Sequence, residues 1–441
     1  MDKKTIYRDF AKYVSLSVLG MTCFSVYVLA DTFFIANALG ANGLTALNFS
    51  ISIFSILQGV SLMIGIGGAT RYTILKNEDN NKDANLLFTH SLAVGSAFAF
   101  VFVIVGALFT ESLASLLGSD EIILPLAATY IRTIMLFSPF MLLNNILIAF
   151  IRNDNNPKLA MAGMVTGSLS NIVLDYIFLF PLSMGMFGAA LATGLSLIIS
   201  LFVLSLHFLT KRSQFFLCKC KIYIKKIADI FSLGSSAMVS ELSFAVALIT
   251  FNLVIFRIEG NIGVAAYGIV ANIALVLLFI FTGVAQGIQP LLSKGYGSND
   301  KTAIVLTFRS ATALVLILSV SFYSIVNIFS DSIVSVFNSE ANAMLARLAI
   351  NGIRIYFTGL IFAGVNIVTA AFFSAINNAK LAFIISILRS CVIIVPMVIA
   401  LSFFLKMNGV WLSFALTEFI IVLLSVILLK QKSLALFSAL A

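Results

Sequence analysis

Four of the 18 acidic residues in this 441-residue chain lie deep inside long apolar runs: Asp31, Asp175, Glu241 and Glu418. A carboxylate at the centre of a hydrocarbon layer costs roughly 2.5–3.5 kcal/mol on insertion scales, so each needs a partner, a proton or a cation. Asp175 is the best placed of them. Asn171 precedes it by four residues, which puts both side chains on one face of a helix. Thr193 follows within the small-residue stretch Gly188-Ala189-Ala190-Leu191-Ala192-Thr193-Gly194, where glycine and alanine allow two helices to approach closely. With Asp31 from an earlier run, this makes two carboxylates, an amide oxygen and a hydroxyl, a hard oxygen set suited to a small hard cation. Adjacent carboxylates repel one another, so such a set takes up either a proton or Na+. The same spacing also suits plain hydrogen-bond glue between helices. Glu241 has no basic residue within two turns on its own run and reads as a counter-charge for a cationic substrate, a second proton site or a neutral acid in a helix bundle. Glu418 and Arg389 lie on neighbouring runs and read as a pair across packed helices.

The elements that carry these residues are membrane spans. Hydrophobic residues make up 61% of the chain and charged residues 10%, against about 25% charged in soluble globular proteins, which excludes a soluble fold. A helix needs about 20 apolar residues to cross the bilayer core. Twelve runs qualify, at 13–38, 46–75, 86–109, 125–151, 159–181, 187–210, 227–256, 264–293, 303–330, 342–374, 380–404 and 408–429. With an inside N-terminus, 21 of the 27 Lys and Arg fall on inside segments and five on outside ones. That asymmetry places both termini in the cytoplasm of a bacterial inner membrane. The opening Lys3, Lys4, Arg8 and Lys12 before an apolar run resemble a signal peptide, but the run is longer than a signal core and reads as an uncleaved first span.

The formal charge of +9 reflects these loops, and no basic, aromatic-interleaved patch for nucleic acid accompanies it. The four cysteines, Cys23, Cys218, Cys220 and Cys391, form no zinc pattern. His90 and His207 stand alone near span ends and read as ordinary positions. No metal beyond Na+ and no cofactor is expected.

The chain also repeats itself. Asn155-Asn156-Pro157-Lys158-Leu159-Ala160 matches Asn377-Asn378-Ala379-Lys380-Leu381-Ala382, and the same offset of 222 sets Arg132 over Arg354 and Asn144 over Asn366. Gly40, Gly43 and Ala46 match Gly260, Gly263 and Ala266, and Asn81-Lys82 pairs with Asp300-Lys301. Several matches in one order indicate duplication. The expected organisation is an all-α polytopic membrane protein with an N-terminal six-helix lobe at 1–210, a basic cytoplasmic linker at 211–226 and a C-terminal six-helix lobe at 227–441. The linker reads as a solvated connection or an anionic-lipid site. A parallel repeat of this kind implies two lobes facing a central cavity.

Over essentially its whole length the sequence resembles the multidrug and toxic compound extrusion (MATE) family. The resemblance rests on Ala30-Asp31-Thr32-Phe33-Phe34 with Leu39-Gly40-Ala41, on Arg152 with Asn156-Pro157-Lys158, on Asn171-x-x-x-Asp175 and on the Gly188-to-Thr193 stretch. Further matches are Gly283-Val284-Ala285-Gln286-Gly287-Ile288-Gln289-Pro290 with Tyr296-Gly297, Leu388-Arg389 with Pro396, and Gly409-Val410-Trp411. It implies an antiporter that exports small cationic amphiphilic drugs or toxic metabolites against Na+ or H+ and functions as a monomer. It also implies cation ligands at Asp31, Asn171, Asp175 and Thr193, supporting polar residues at Tyr130 and Asn145, and an acid of some members at Glu241. The acid that other members carry in the tenth span is absent, which favours an ion site in the first half. A lipid-linked sugar flippase of the same superfamily is the nearest alternative. An intramembrane enzyme using Asp31 and Asp175 as a catalytic dyad is a remoter one. No G-x-x-x-x-G-K-[ST] loop for a primary pump is present.

Overall fold

The computed structural model describes residues 2–211, 213–219, 221–337 and 342–436. Arg212 and Cys220 of the basic linker lie outside them. The described chain is helical, without strands. Its helices are α1 (Lys3–Asn77), α2 (Asn81–Leu108), α3 (Thr110–Leu116), α4 (Leu124–Leu136), α5 (Ser138–Asn153), α6 (Pro157–Leu179), α7 (Gly185–Leu209), α8 (Ile224–Gly297), α9 (Lys301–Ile328), α10 (Ser330–Phe337), α11 (Ala343–Ala375), α12 (Ala379–Ile387) and α13 (Ile394–Leu436), with a π-helical turn at Leu388–Val392 before α13.

Three of these stretches are too long to be single spans. Straight, the 75 residues of α1 would extend roughly 110 Å at 1.5 Å per residue. They reverse instead. A Cβ on Gly43 would lie 3.4 Å from Cγ2 of Ile35, and one on Gly263 would lie 2.8 Å from Cγ2 of Ile255. Residues eight apart in a continuous helix are about 12 Å apart along the axis. The hinges are Gly40 (φ 64°, ψ −155°) and Gly260 (φ 61°, ψ −149°), a backbone region essentially confined to glycine. Lys406 (φ 50°, ψ −130°) breaks α13 in the same manner, and Gly409 there packs against the carbonyl of Leu401. Counting the pair α4–α5, bent by 52°, as one span, nine stretches among the described residues are long and apolar enough to cross a bilayer. Three of the nine contain a reversal, which makes the twelve crossings expected of the sequence.

The repeat recurs in loop geometry. Asp79 (φ 60°) precedes Asn80, whose side chain caps α2 at the N–H of Asp83, and Asn299 (φ 55°) precedes Asp300, which caps α9 at Ala303. The register is therefore Asn80 over Asp300, one residue earlier than the sequence alignment of Asn81 with Asp300. Asn155 (φ 62°) and Asn377 (φ 61°) follow α5 and α11 and precede the N-cap positions Asn156 and Asn378, of which only Asn156 caps through its side chain, at the N–H of Leu159.

The chain packs as two compact units, residues 15–242 and residues 1–14 with 243–441. These boundaries differ from the linker at 211–226. The start of α8 belongs with the first unit because two glycines there permit backbone contact: Gly67 packs on the carbonyl of Ile230, and Gly234 on that of Met63. Any side chain at either position would hold the helices apart.

The linker is also less free than its charge suggests. After α5 the buried carboxylate of Asp154 accepts hydrogen bonds from Tyr72 Oη (2.9 Å), Lys76 Nζ (2.8 Å), His207 Nε2 (2.9 Å) and the backbone N–H of Gln214 (2.8 Å). Phe215 is fully buried among Tyr72, Phe88, Phe150, His207 and Phe208. Further along, the N–H of Cys218 donates to Thr89 Oγ1 (3.0 Å) and that of Tyr223 to His90 Nε2 (2.9 Å), and Lys226 pairs with Asp83 at 2.8 Å. Both histidines thus hold the linker to the first unit, a role invisible in their isolated sequence positions. Burial raises the Asp154 pKa, but the donors His207, Lys76 and Gln214 N–H outweigh it and leave the carboxyl below its usual range.

Candidate cation site

Pro157 and the cap Asn156 start α6, and from there a straight helix carries Asn171 and Asp175 on one face. That face meets α7 closely. A Cβ on Gly167 would sit 3.2 Å from Cβ of Ser200, and one on Gly163 would sit 2.7 Å from Leu204. The glycine and serine stripe thereby brings Thr193 of α7 against Asn171 of α6. The four expected ligands are all buried, with Asp175 at 0%, Asn171 at 1%, Thr193 at 6% and Asp31 at 8% exposure. Asp31 comes from α1 before its hinge, and its charge acts on Asp175.

The amide of Asn171 has two settings. In one, its nitrogen donates to Thr193 Oγ1 at 3.2 Å, which turns its oxygen toward Asp175. In the other, its nitrogen donates to Asp175 Oδ2 at 2.8 Å while its oxygen accepts from Thr193 Oγ1 at 3.2 Å. Hydrogen-bond chemistry chooses between them. An ionised, ion-free Asp175 demands the second. A proton on Asp175, or a cation between the carboxylate and the amide oxygen, favours the first. Either way Asp175 Oδ1 and Asp31 Oδ1 are buried without a hydrogen-bond partner among the described residues. A buried unpaired carboxylate oxygen is costly, and a proton or hard cation shared by the two acids removes the cost.

Tyr130 of α4 is 4% exposed and shares a hydrogen bond with Thr193, within electrostatic reach of Asp31 and Asp175. Asn145 instead donates to Gln58 Oε1 at 3.0 Å and to the carbonyl of Met141 at 3.2 Å. Tyr27, one turn before Asp31 on α1, feels the charges of Asp31, Asp175 and Glu241. It was missed at the sequence level because a tyrosine in an apolar run carries no charge to mark it. Glu241 of α8 is half-buried, with its Cβ 3.7 Å from the Cβ position of Gly59, so it lies in the first unit near this cluster. Glu418 is elsewhere, in the second unit, where Arg389 Nη2 meets its Oε1 at 2.6 Å.

Residues 17–177 and 236–399 match the family model described as MatE. The multidrug export protein MepA of Staphylococcus saprophyticus is 22% identical over 429 residues, covering 97% of this chain and 94% of that protein. MepA of Staphylococcus aureus strain MRSA252 is 23% identical over 429 residues, covering 95% and 92%. Among solved structures, an outward-facing multidrug resistance MATE family transporter of the MOP superfamily superposes with a TM-score of 0.91 at 22% identity, over 98% of this chain and 96% of that one. A MOP superfamily transporter from Pyrococcus furiosus superposes with a TM-score of 0.91 at 21% identity, over 98% and 96%.

Proposed function

Because this chain belongs to the MatE family, and is accordingly a membrane transporter and not an enzyme, we propose that it is a secondary antiporter exporting small cationic amphiphilic drugs or toxic metabolites in exchange for Na+ or H+. In this reading Asp31, Asn171, Asp175 and Thr193 bind the coupling ion, and Tyr130 holds Thr193 in place. Glu241 supplies negative charge toward a cationic substrate or a second proton. The protein acts as a monomer in the cell membrane with both termini in the cytoplasm, as its loop charges favour.

The observation that carries the reading is the pair of orphaned oxygens, Asp31 Oδ1 and Asp175 Oδ1, on buried acids whose charges act on one another. A cation shared between them draws α1 toward α6 and α7. Coupling follows only if the ion binds two conformations unequally, since equal affinity shifts no population. Inverting a 1:99 equilibrium needs about 10⁴-fold preference, which the loss of one ligand from the set would erode. The small-residue packing of α6 on α7 holds Asn171, Asp175 and Thr193 together, and Asp31, carried by a separate helix, is the ligand whose distance from them changes in this reading.

The test is efflux of a fluorescent organic cation from proteoliposomes under a sodium or a proton gradient, each imposed separately. One gradient is expected to drive export in the native protein, and Asp175→Asn to abolish it at unchanged membrane content. Normal gradient-driven efflux in that variant would remove the site from the mechanism.

A further inference from the structure

The second unit contains its own buried acid, treated differently. The two halves share a backbone contact that sets their register: Asn144 Nδ2 donates to the carbonyl of Leu197 at 3.4 Å, and Asn366 Nδ2 to the carbonyl of Glu418 at 2.9 Å. Glu418 thus stands where the first half has Leu197. By the same register Thr193 corresponds to Phe414, and by the Gly40–Gly260 hinge Asp31 corresponds to Phe251. Where the first half gathers oxygen ligands, the second is filled with rings. Tyr356 stacks on Phe414 at 4.2 Å between centroids, and Phe251 meets Tyr356 edge-on at 6.2 Å.

Glu418 is 2% exposed and, unlike Asp31 and Asp175, fully partnered. Its Oε1 accepts from Arg389 Nε at 3.1 Å and Nη2 at 2.6 Å, and its Oε2 accepts from Asn366 Nδ2 at 2.7 Å. Ser425 Oγ donates in turn to Asn366 Oδ1 at 3.3 Å, and Tyr356 is the other titratable group within electrostatic reach. Arg389 lies on the π-helical turn Leu388–Val392. Such a turn holds one residue more than an α-helical turn and re-aims side chains by about 100°. Ser390 on the same turn bonds Ser386 and Ser243, which fixes the distortion in place. A guanidinium in a protein does not give up its proton, and its tether prevents it from leaving.

We propose that Arg389 is a built-in counter-cation, occupying permanently at the Glu418 carboxylate the place that an exchangeable ion would otherwise take, so that the second unit is closed to ion exchange. The Glu418 carboxylate, oriented by Asn366 with Ser425 behind it, is a cation site with its cation covalently attached. This stands independently of the coupling reading for the first unit.

The experiment measures radioactive sodium binding and proton uptake between pH 5 and 9 by purified protein in nanodiscs. It is done in an Asp31→Asn/Asp175→Asn background, so that the first unit's acids do not contribute. Adding Arg389→Gln is expected to create a new sodium- or proton-binding event with thermal stability dependent on that ion. Further adding Glu418→Gln should abolish it, and Arg389→Lys, which keeps the tethered charge, should not create it. A folded Arg389→Gln protein that takes up no additional ion or proton overturns the proposal. Should Arg389→Gln fail to fold under every condition, the charge-balanced Arg389→Gln/Glu418→Gln pair decides. Placed in otherwise native protein, it should leave sodium and proton uptake unchanged, and a loss of either would show that Glu418 was exchanging all along.

Discussion

Asp175 and Glu418 are both buried acids in one apolar chain, yet their surroundings set them apart. Asp175 Oδ1 is unpartnered while its neighbour oxygen meets an amide with two usable orientations; Glu418 has an arginine fork on one oxygen and an amide on the other. An incompletely satisfied carboxylate is the one that gains from an added ion, because that ion replaces lost hydration. Asp31 and Asp175 should therefore act as a unit. In proteoliposome efflux, Asp31→Asn is expected to cost nearly as much as Asp175→Asn, and the double variant little more than either. Groups that share one ligand are strongly non-additive. Costs that multiplied in the double variant would mean two independent roles.

The elements are held by a few backbone devices, and two give predictions. Lys406 is an exposed non-glycine residue at φ 50°, ψ −130°, in the region that favours glycine and costs an L-residue of order 1–3 kcal/mol. The corresponding turn before α7 uses Gly185 at φ 61°. Lys406→Gly should therefore not destabilise the protein and should raise its stability by about 1 kcal/mol, read as a higher Tm in detergent; a lower Tm would show that the lysine side chain is needed there. Asp154 holds the linker by accepting from Lys76, His207 and Gln214. Its folded pKa is depressed, so its stabilisation is full above the unfolded value near 3.9 and is lost as pH falls through the folded one. Asp154→Asn should lower stability at neutral pH by roughly 1–3 kcal/mol, with the gap to native protein beginning to narrow once pH falls below about 4. Thermal melts from pH 3 to 8 measure this, and a gap that stayed constant down to pH 3 would contradict it.

For the whole molecule, the skewed loop charges predict a sidedness. Asp79, in the turn between α1 and α2, and Lys158, at the start of α6, should face the cytoplasm; Ser119, between α3 and α4, and Lys406 should face outward. Single cysteines placed at these positions, with the native cysteines replaced, should react with a membrane-impermeant maleimide in two groups. The outward pair should label in intact cells and the inward pair only after permeabilisation. Labelling of all four from one side, or the reverse pattern, would refute the orientation.

The sequence by itself determined the membrane class, the twelve spans, the duplication and the association of Asn171, Asp175 and Thr193. All of these follow from local quantities: hydropathy over a span, charge between spans, and the helical repeat that puts residues four apart on one face. Tertiary structure alone decided which acids are left short of partners, why His90 and His207 matter, and that Asn145 donates to Gln58. It also decided that the start of α8 packs with the first unit through Gly67 and Gly234. Those outcomes depend on contacts between residues 53 to 171 positions apart, and hydrogen-bond satisfaction is a property of the whole neighbourhood that no spacing along one helix encodes.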